Sequence, residues 1–405
     1  MLENYVNIHD VKEIRSRAFI YFGCGAIQKI TDIATQLKER GISRVMAITG
    51  KGAYKRSGAW DPITAAFDAA GIQYDRFSDI SPNPNTDDVD AAVKQGRAFG
   101  AQAILGIGGG SSIDAAKSTA ILMEYPDQTA AELYEYEFIP TKALPIIAVN
   151  LTHGTGSEGN RVAVATILSK NYKPAIAYEC IYPTWSIDDP ELMLSLSPFQ
   201  ILHTSVDAVN HVVEAATTTC TSPYAITLAR DVIVLSAKYL PMALKDPADL
   251  VARYHLAYAA LLAGISFDNG YLHLTHSLEH PLSAIQPTLT HGLGLGILLP
   301  SVIKTIYAAP QAGKILADIL APLVPGLTGD PSEALKAAKG MEKWLFSVGE
   351  CKKLSDESIT EADIDKLVDL VFTTPSLGSM LAVSPVKATR EVVANIYRES
   401  LAPIK

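Results

Sequence analysis

The sequence predicts an α/β N-terminal half followed by an all-helical C-terminal half, and three observations support this. A chain of 405 residues exceeds what one compact core usually holds. Up to about Pro190, short apolar runs alternate with amphipathic helical stretches; beyond it helical periodicity continues with few β-like segments. Hydrophobic residues make up 48 % of the chain and charged residues 19 %, which suits a large core and excludes a disordered chain.

In the first half, the helical region Ile30–Arg40 leads into a strand at Arg44–Thr49. Asp61–Ala70 reads as a helix, and Ala103–Ile107 and Leu144–Val149 read as further strands. Strands separated by helices imply a mostly parallel sheet covered on both faces, with ligands beyond the carboxyl ends of the strands. The character changes between Ile187 and Pro198, so the expected domains are 1–190 and 191–405. Ser197-Pro198 has the chemistry of a helix start. Helical periodicity then covers Leu196–Ala216, Ser222–Tyr239, Leu250–Phe267, Tyr271–His280, Leu293–Tyr307, Pro331–Val348 and Glu361–Phe372.

Net charge is -9 and no long Lys/Arg block occurs, which argues against a nucleic-acid partner. The start Met1-Leu-Glu-Asn-Tyr-Val6 lacks a basic segment followed by an apolar run, and no uncharged apolar stretch reaches bilayer length. Cys24, Cys180, Cys220 and Cys351 are far apart with no C-x-x-C pair. The expectation is a cytoplasmic protein with no membrane partner.

Chemistry concentrates in two places. Gly106-Ile-Gly-Gly-Gly-Ser-Ser-Ile-Asp-Ala-Ala-Lys117 runs from a strand through three glycines into a helix. Gly108, Gly109 and Gly110 allow close backbone approach to an anion. Ser111 and Asp114 have capping-box spacing, which makes Ser111 the expected helix cap. The free N–H groups at that helix end would seat a pyrophosphate; the plain alternative is a tight turn. Neither G-x-G-x-x-G nor a Walker loop is present. In the loop from Asn150 to Glu158, Thr152, Thr155 and Ser157 offer hydroxyls to a nicotinamide or phosphate, and a Ser/Thr-capped loop is the competing reading.

In the second half, Asp207 and His211 are four apart and share a helix face. His273, His276 and His280 share one side of a helix at spacings of three and four, and His291 lies near the start of the next helix. Three imidazoles and a carboxylate from separate segments suit a divalent ion that keeps an open position, and favour Fe(II) or Zn(II) over calcium or magnesium. Glu214, one turn past His211, reads either as a partner behind the ligands or, more simply, as a solvated helix residue. A dinucleotide seat and a Lewis-acid metal together point to hydride transfer at an alcohol or carbonyl.

These segments resemble the iron-containing (group III) alcohol dehydrogenases along almost the whole chain. The resemblance is carried by Phe22-Gly23, Pro82-Asn-Pro84, Gly108 to Asp114 with Lys117, Gly154-Thr-Gly-Ser-Glu158 and Asp189-Pro190. Asp207 to His211 with Glu214, His276-Ser-Leu-Glu-His280 and His291-Gly292 complete it. It implies a dehydroquinate synthase-like fold, with a dinucleotide-binding α/β domain and a helical metal-binding domain. Asp207, His211, His276 and His291 look like the metal ligands. His280 resembles a nearby histidine that orients substrate or relays a proton. Gly109, Gly110, Ser111 and Asp114 resemble the pyrophosphate loop, Thr152 and Thr155 the nicotinamide contacts, and Lys173 a lysine of the nucleotide half. The family acts on varied alcohols, so the resemblance implies an alcohol dehydrogenase and a homo-oligomer but not the substrate; the phosphate turn joined to the four ligands favours reversible oxidation of a small primary alcohol to an aldehyde.

Departures from the family pattern refine these expectations. Thr49-Gly50-Lys51 stands where many members have Asp after the strand. Gly50 removes the repulsion of a 2′-phosphate, and Lys51, Lys55 or Arg56 would attract it, favouring NADP(H) over NAD(H); a solvent-facing basic turn is the alternative. His153 reads as a residue touching or flanking nicotinamide and substrate, and His273 as one that narrows the pocket. The remaining rivals are a glycerol dehydrogenase-like or dehydroquinate synthase-like enzyme and a non-catalytic nucleotide-binding protein.

Overall fold

The computed structural model describes residues 12–405; the Met1–Val6 start lies outside the described residues. Contact density divides the chain into two compact units.

One unit comprises residues 16–197 and 247–261. Its strands are β1 (Ile20–Phe22), β2 (Arg44–Thr49), β3 (Gln73–Phe77), β4 (Ala103–Gly108), β5 (Ile146–Asn150), β6 (Val162–Val164), β7 (Ala175–Ala177) and β8 (Trp185–Asp188). Six form one sheet in the order β1-β8-β5-β4-β2-β3, every neighbouring pair parallel. β6 and β7 make a separate antiparallel pair. The helices are α1 (Ile30–Glu39), α2 (Ala53–Arg56), α3 (Trp60–Ala70), α4 (Thr86–Phe99), α5 (Gly110–Glu124) and α6 (Ala130–Tyr134).

Side chains alternate across the central strands. Ala47, Leu105, Ile147, Val149 and Ile187 join one core with α1 and α3, while Met46, Ile48, Ile104 and Ile146 join another with α4 and α5. Residues of β4, β5 and β8 are buried throughout, which is why β4 and β5 read as continuous apolar runs. The edge strand β3, Gln-Tyr-Asp-Arg-Phe, is polar and gave no apolar signal. The carboxyl ends of β4, β5 and β8 lie side by side, and Gly108, Asn150 and Asp188 end them in adjacent register.

The other unit, within the described residues, comprises 12–15, 198–246 and 262–405. Its helices are α7 (Pro198–Thr217), α8 (Pro223–Lys245), α9 (Leu250–Gly270, shared with the first unit), α10 (Leu274–Ile285) and α11 (His291–Tyr307). They continue with α12 (Pro310–Ile319), α13 (Ala334–Ser347), α14 (Ile364–Thr373), α15 (Leu377–Ala382) and α16 (Arg390–Glu399). From Ser205 to Thr217 every residue of α7 is buried, as expected of a core helix surrounded by others. Among the described residues α9 alone is long and apolar enough to cross a membrane, and 67 % of its apolar window is buried inside the fold.

The units are not the contiguous blocks 1–190 and 191–405. Residues 191–197 and 247–261 group with the α/β sheet. The physical reason lies in the first half of α9. Arg253 donates to the Met193 carbonyl, and Tyr254 and Tyr258 pack on Phe22 with ring centroids 4.9 and 5.5 Å apart. α10 also starts three residues later than periodicity suggested, because His273 caps it instead of lying within it.

Candidate functional site

The histidine–carboxylate cluster rests on three helices. α7 presents Asp207 and His211 one turn apart, α10 presents His276 and His280 one turn apart, and His291 is the first residue of α11. Ligand atoms of Asp207, His276 and His291 lie within 4.8 Å of one another. From Asp207 Oδ1 the distances are 3.4 Å to His211 Nε2, 3.6 Å to His276 Nε2 and 3.9 Å to His291 Nε2. His211 is not part of the 4.8 Å set; it abuts Asp207 and stacks on His276 with centroids 4.7 Å apart.

The far nitrogens of two imidazoles are held by carboxylates. His276 Nδ1 pairs with Glu214 and His291 Nδ1 with Glu279, and both glutamates are fully buried. A proton on Nδ1 donated to a carboxylate leaves the Nε2 lone pair facing inward, the tautomer a metal requires. Among the described residues Asp207 Oδ1 and His276 Nε2 are buried with no hydrogen-bond partner and face each other at 3.6 Å, a costly arrangement that a cation between them would relieve. The residues therefore fit a divalent ion, and imidazole with carboxylate suits iron or zinc.

Electrostatics agree. Burial alone would raise the Asp207 pKa, but His211, His276 and His291 pull it down to about 2. Burial works against a charged His276, yet Glu214 and Asp207 outweigh it and raise its pKa to about 9. Burial lowers His211 to about 3 against the pull of Asp207, so its imidazole is neutral.

Glu214 is not solvated. Its carboxylate accepts from the backbone N–H groups of His273, Thr275 and His276 at 3.0, 2.7 and 3.3 Å, capping α10 as it orients His276. Burial would raise its pKa, but the charge and hydrogen bond of His276, with His273 and the N–H groups of the helix start, bring it down to about 2. His273 does not narrow a pocket: it is fully buried, with Nδ1 accepting from Leu274 N–H at 2.7 Å and Nε2 3.0 Å from Thr217 Oγ1. His280 is buried, its ring centroid 5.7 Å from His291 and 6.4 Å from His276.

In the α/β unit, the glycine turn is dictated by contact. A Cβ on Gly109 would lie 2.7 Å from Thr152 Cγ2, and one on Gly110 would lie 2.5 Å from Thr155 Cγ2. Gly108 has φ +157°, and a Cβ there would lie 2.4 Å from Ser112 Oγ. α5 starts at Gly110 with Gly109 at its cap and no side-chain cap, so its amino end is open to an anion. Ser111 is therefore not the cap, and no capping box forms. Asp114 turns instead into the protein, accepting from Ser157 Oγ at 2.6 Å and Val164 N–H at 3.0 Å. Both its oxygens are engaged, so it anchors the Thr152–Ser157 loop and is not a phosphate contact.

Lys117 is fully buried and donates to Ser157 O (2.7 Å), Ser157 Oγ (2.8 Å), Asn160 Oδ1 (3.3 Å) and Val162 O (2.7 Å). Lys173 is buried and donates to Asn83 Oδ1 at 3.1 Å. His153 is fully enclosed, and burial first, then the Arg253 charge, lower its pKa to about 3; it packs inside the loop with no exposed face to offer nicotinamide. Gly50 follows β2 with only ordinary contact from Ile80 O at 3.5 Å to a Cβ placed there, and Lys51 is exposed. Arg76, on β3, stacks on Tyr54 and lies 3.4 Å from Thr49 Oγ1.

Sequence reasoning missed Glu279 and undervalued Glu214. It also missed Glu158 and Asp188, two fully buried carboxylates at the ends of the loop and of β8. No periodicity reports these, because a buried glutamate and an exposed one have the same spacing.

Comparison with known proteins gives consistent matches. Residues 18–190 match the model of the iron-containing alcohol dehydrogenases, and 201–401 match that of the C-terminal part of the Fe-containing alcohol dehydrogenase family. The chain is 55 % identical over 400 residues to the long-chain primary alcohol dehydrogenase AdhA of Thermoanaerobacter ethanolicus, covering 99 % of this chain and 100 % of that one. An archaeal halo-thermophilic alcohol dehydrogenase from a Red Sea brine pool superposes with TM-score 0.90 at 27 % identity, over 97 % and 100 % of the two chains. The NADH-dependent butanol dehydrogenase A of Thermotoga maritima superposes with TM-score 0.88 at 28 % identity, over 97 % and 99 %.

Proposed function

The chain belongs to the iron-containing alcohol dehydrogenase family and is a metal-binding, NAD(P)-linked oxidoreductase interconverting alcohols and aldehydes; from that premise we propose its ligands, cofactor and substrate class. Asp207, His211, His276 and His291 hold Fe(II) in preference to Zn(II), and the substrates are primary alcohols and their aldehydes. The observation that supports the metal assignment is the pair of buried atoms Asp207 Oδ1 and His276 Nε2, 3.6 Å apart and without a hydrogen bond among the described residues, with Glu214 and Glu279 behind the imidazoles.

Bound there, the ion supplies Lewis acidity that lowers the pKa of the alcohol hydroxyl. The protein residues do the rest. Asp207, His211, His276 and His291 would hold the ion through their inward-facing atoms, and His280 would relay the hydroxyl proton outward. The open end of α5 with Gly108, Gly109, Gly110 and Ser111 seats the pyrophosphate, while Thr152 and Thr155 position the nicotinamide. Asp114 and Lys173 support this seat from behind.

NADP(H) is the favoured cofactor. The support is Gly50 in place of a carboxylate, with the basic side chains of Lys51, Lys55 and Arg56 close by in sequence and Arg76 reaching Thr49. Substrate chain length extends beyond small alcohols, on the strength of the relative named for long-chain primary alcohols. A homo-oligomer in a reducing cytoplasm completes the reading; the four cysteines are unpaired.

The test is metal analysis of protein purified without air, joined to loss of NADPH or NADH with aldehydes from two carbons upward. Iron content near one per chain, lost in Asp207→Ala, together with aldehyde-dependent oxidation of NADPH, is the expected result. A fully metallated protein inactive on the whole series overturns the reading.

A further inference from the structure

Four basic side chains surround the turn that follows β2, and one of them differs from the rest. Lys51, Lys55 and Arg56 are exposed on the turn and on α2, whereas Arg76 comes from the neighbouring strand β3 and is half-buried. β2 pairs with β3 with Ile48 opposite Phe77, and on its other side with β4 with Thr49 opposite Ile107. The end of β2 therefore lies beside the strand that runs into the glycine turn. A dinucleotide with its pyrophosphate at that turn extends its adenosine ribose toward the end of β2.

Arg76 is held in place by aromatic rings. Tyr74 and Arg76, two apart on one strand, face the same side of the sheet. Tyr54, Trp60 and Tyr74 pack edge to face, with centroids 5.3 Å apart for Tyr54 and Trp60 and 5.9 Å for Trp60 and Tyr74. The guanidinium carbon of Arg76 lies 4.4 Å from the Tyr54 centroid and 5.8 Å from that of Trp60. Its one side-chain hydrogen bond among the described residues runs from Nη1 to Thr49 Oγ1 at 3.4 Å, one residue before Gly50, and no carboxylate among them pairs with it. Most N–H groups of the fork are thus left for an anion. Stacking has also taken up rotamer freedom that Lys51 or Lys55 would lose on binding. Across the turn, a Cβ on Gly52 would lie 2.7 Å from Arg56 Nη1, so that second guanidinium lies over Gly52.

We propose that Arg76 is the residue that selects NADP(H), gripping the 2′-phosphate from β3, and that Tyr54 is a positioning residue that holds its guanidinium at the Thr49–Gly50 turn. The inference rests on the NADP(H) reading above. Exposed lysines would attract any anion; a planar fork fixed against a ring meets two phosphate oxygens at once and so reads shape as well as charge.

Fluorescence titration measures the dissociation constants of NADPH and NADH, which differ only in the 2′-phosphate, for metallated wild type, Arg76→Ala, Arg76→Lys and Tyr54→Leu. Wild type should bind NADPH the more tightly. Arg76→Ala should weaken NADPH about 10-fold or more and NADH less than about 2-fold. Arg76→Lys keeps the charge but loses the fork, and should recover only part of the preference. Tyr54→Leu should weaken NADPH about 2- to 5-fold. Retained NADH binding shows that each variant is folded with its seat intact, and where Arg76→Ala fails to fold, Arg76→Lys carries the test. The assignment is overturned by Arg76→Ala with the wild-type preference, by its equal loss of both nucleotides (the mark of a purely structural role), or by Arg76→Lys equal to wild type. Tyr54→Leu identical to wild type would overturn the role of the ring. Wild type that binds NADH as tightly as NADPH would instead overturn the NADP(H) reading itself, and this role with it.

Discussion

Glu214→Gln should weaken metal binding by about 10- to 100-fold while the helical unit stays folded. In the native protein the carboxylate accepts from three backbone N–H groups at the start of α10 and from His276 Nδ1. Glutamine keeps one oxygen for the backbone but presents an NH2 group to His276. The imidazole must then accept at Nδ1 and carry its proton on Nε2, the atom needed by the ion. Loss of one charge-assisted bond costs about 1.5–3 kcal/mol, and 1.4 kcal/mol corresponds to about tenfold in affinity, which gives the stated range. The assay is anaerobic competition for Fe(II) or Zn(II) against a chromophoric chelator, with circular dichroism to verify folding. A folded Glu214→Gln protein whose metal affinity is within about twofold of wild type would refute the tautomer argument, since the range above requires at least tenfold.

Three further outcomes follow from the same geometry. Gly292→Ala places a Cβ 2.0 Å from the His203 carbonyl, so the start of α11 must move; a loss of about 1–3 kcal/mol and reduced metal content are expected, read by thermal denaturation and elemental analysis. Gly50→Asp meets only ordinary contact from Ile80 O and should fold normally while shifting kcat/KM from NADP toward NAD by about tenfold or more, as a 2′-phosphate meets a carboxylate; unchanged selectivity would disprove the assignment of that turn. In metal-free protein, His276 has a folded pKa raised to about 9 from 6.5. Its stabilisation is fully present below pH 6.5 and lost as pH rises through 9, about 3 kcal/mol at most. The lowered pKa values of His211, His153 and His273 remove stability as pH falls below 6.5, so metal-free protein should be most stable near that pH. Thermal melts from pH 5 to 10 after chelation test this, and metal should flatten the alkaline side.

The parts legible in the sequence were those in which backbone period and side-chain chemistry coincide. Arg44–Thr49 is a strand with the same bounds in sequence and structure, because a buried parallel strand is apolar along its length. Asp207 with His211, and His276 with His280, share faces because helix geometry allows nothing else. His273 was misread since a spacing of three fits a helix as well as a cap; only its φ of -142° separates the two. Ser111 and Asp114 have the spacing of a capping box, but the cap fell on Gly109 because Thr152 and Thr155 leave no room for a side chain there. Glu214, Glu279, Glu158 and Asp188 were illegible as buried groups, since burial depends on helices and strands distant in sequence.

The close approach of Gly109 to Thr152 and of Gly110 to Thr155 has a bearing on how this loop can be redesigned. Each glycine and its facing threonine form one steric unit, so their substitutions will show strong epistasis. An alanine at 109 or 110 has room only if the opposing threonine becomes smaller, so single-site libraries will overstate the intolerance of these positions to added size. Cofactor engineering here should randomise 109 with 152 and 110 with 155.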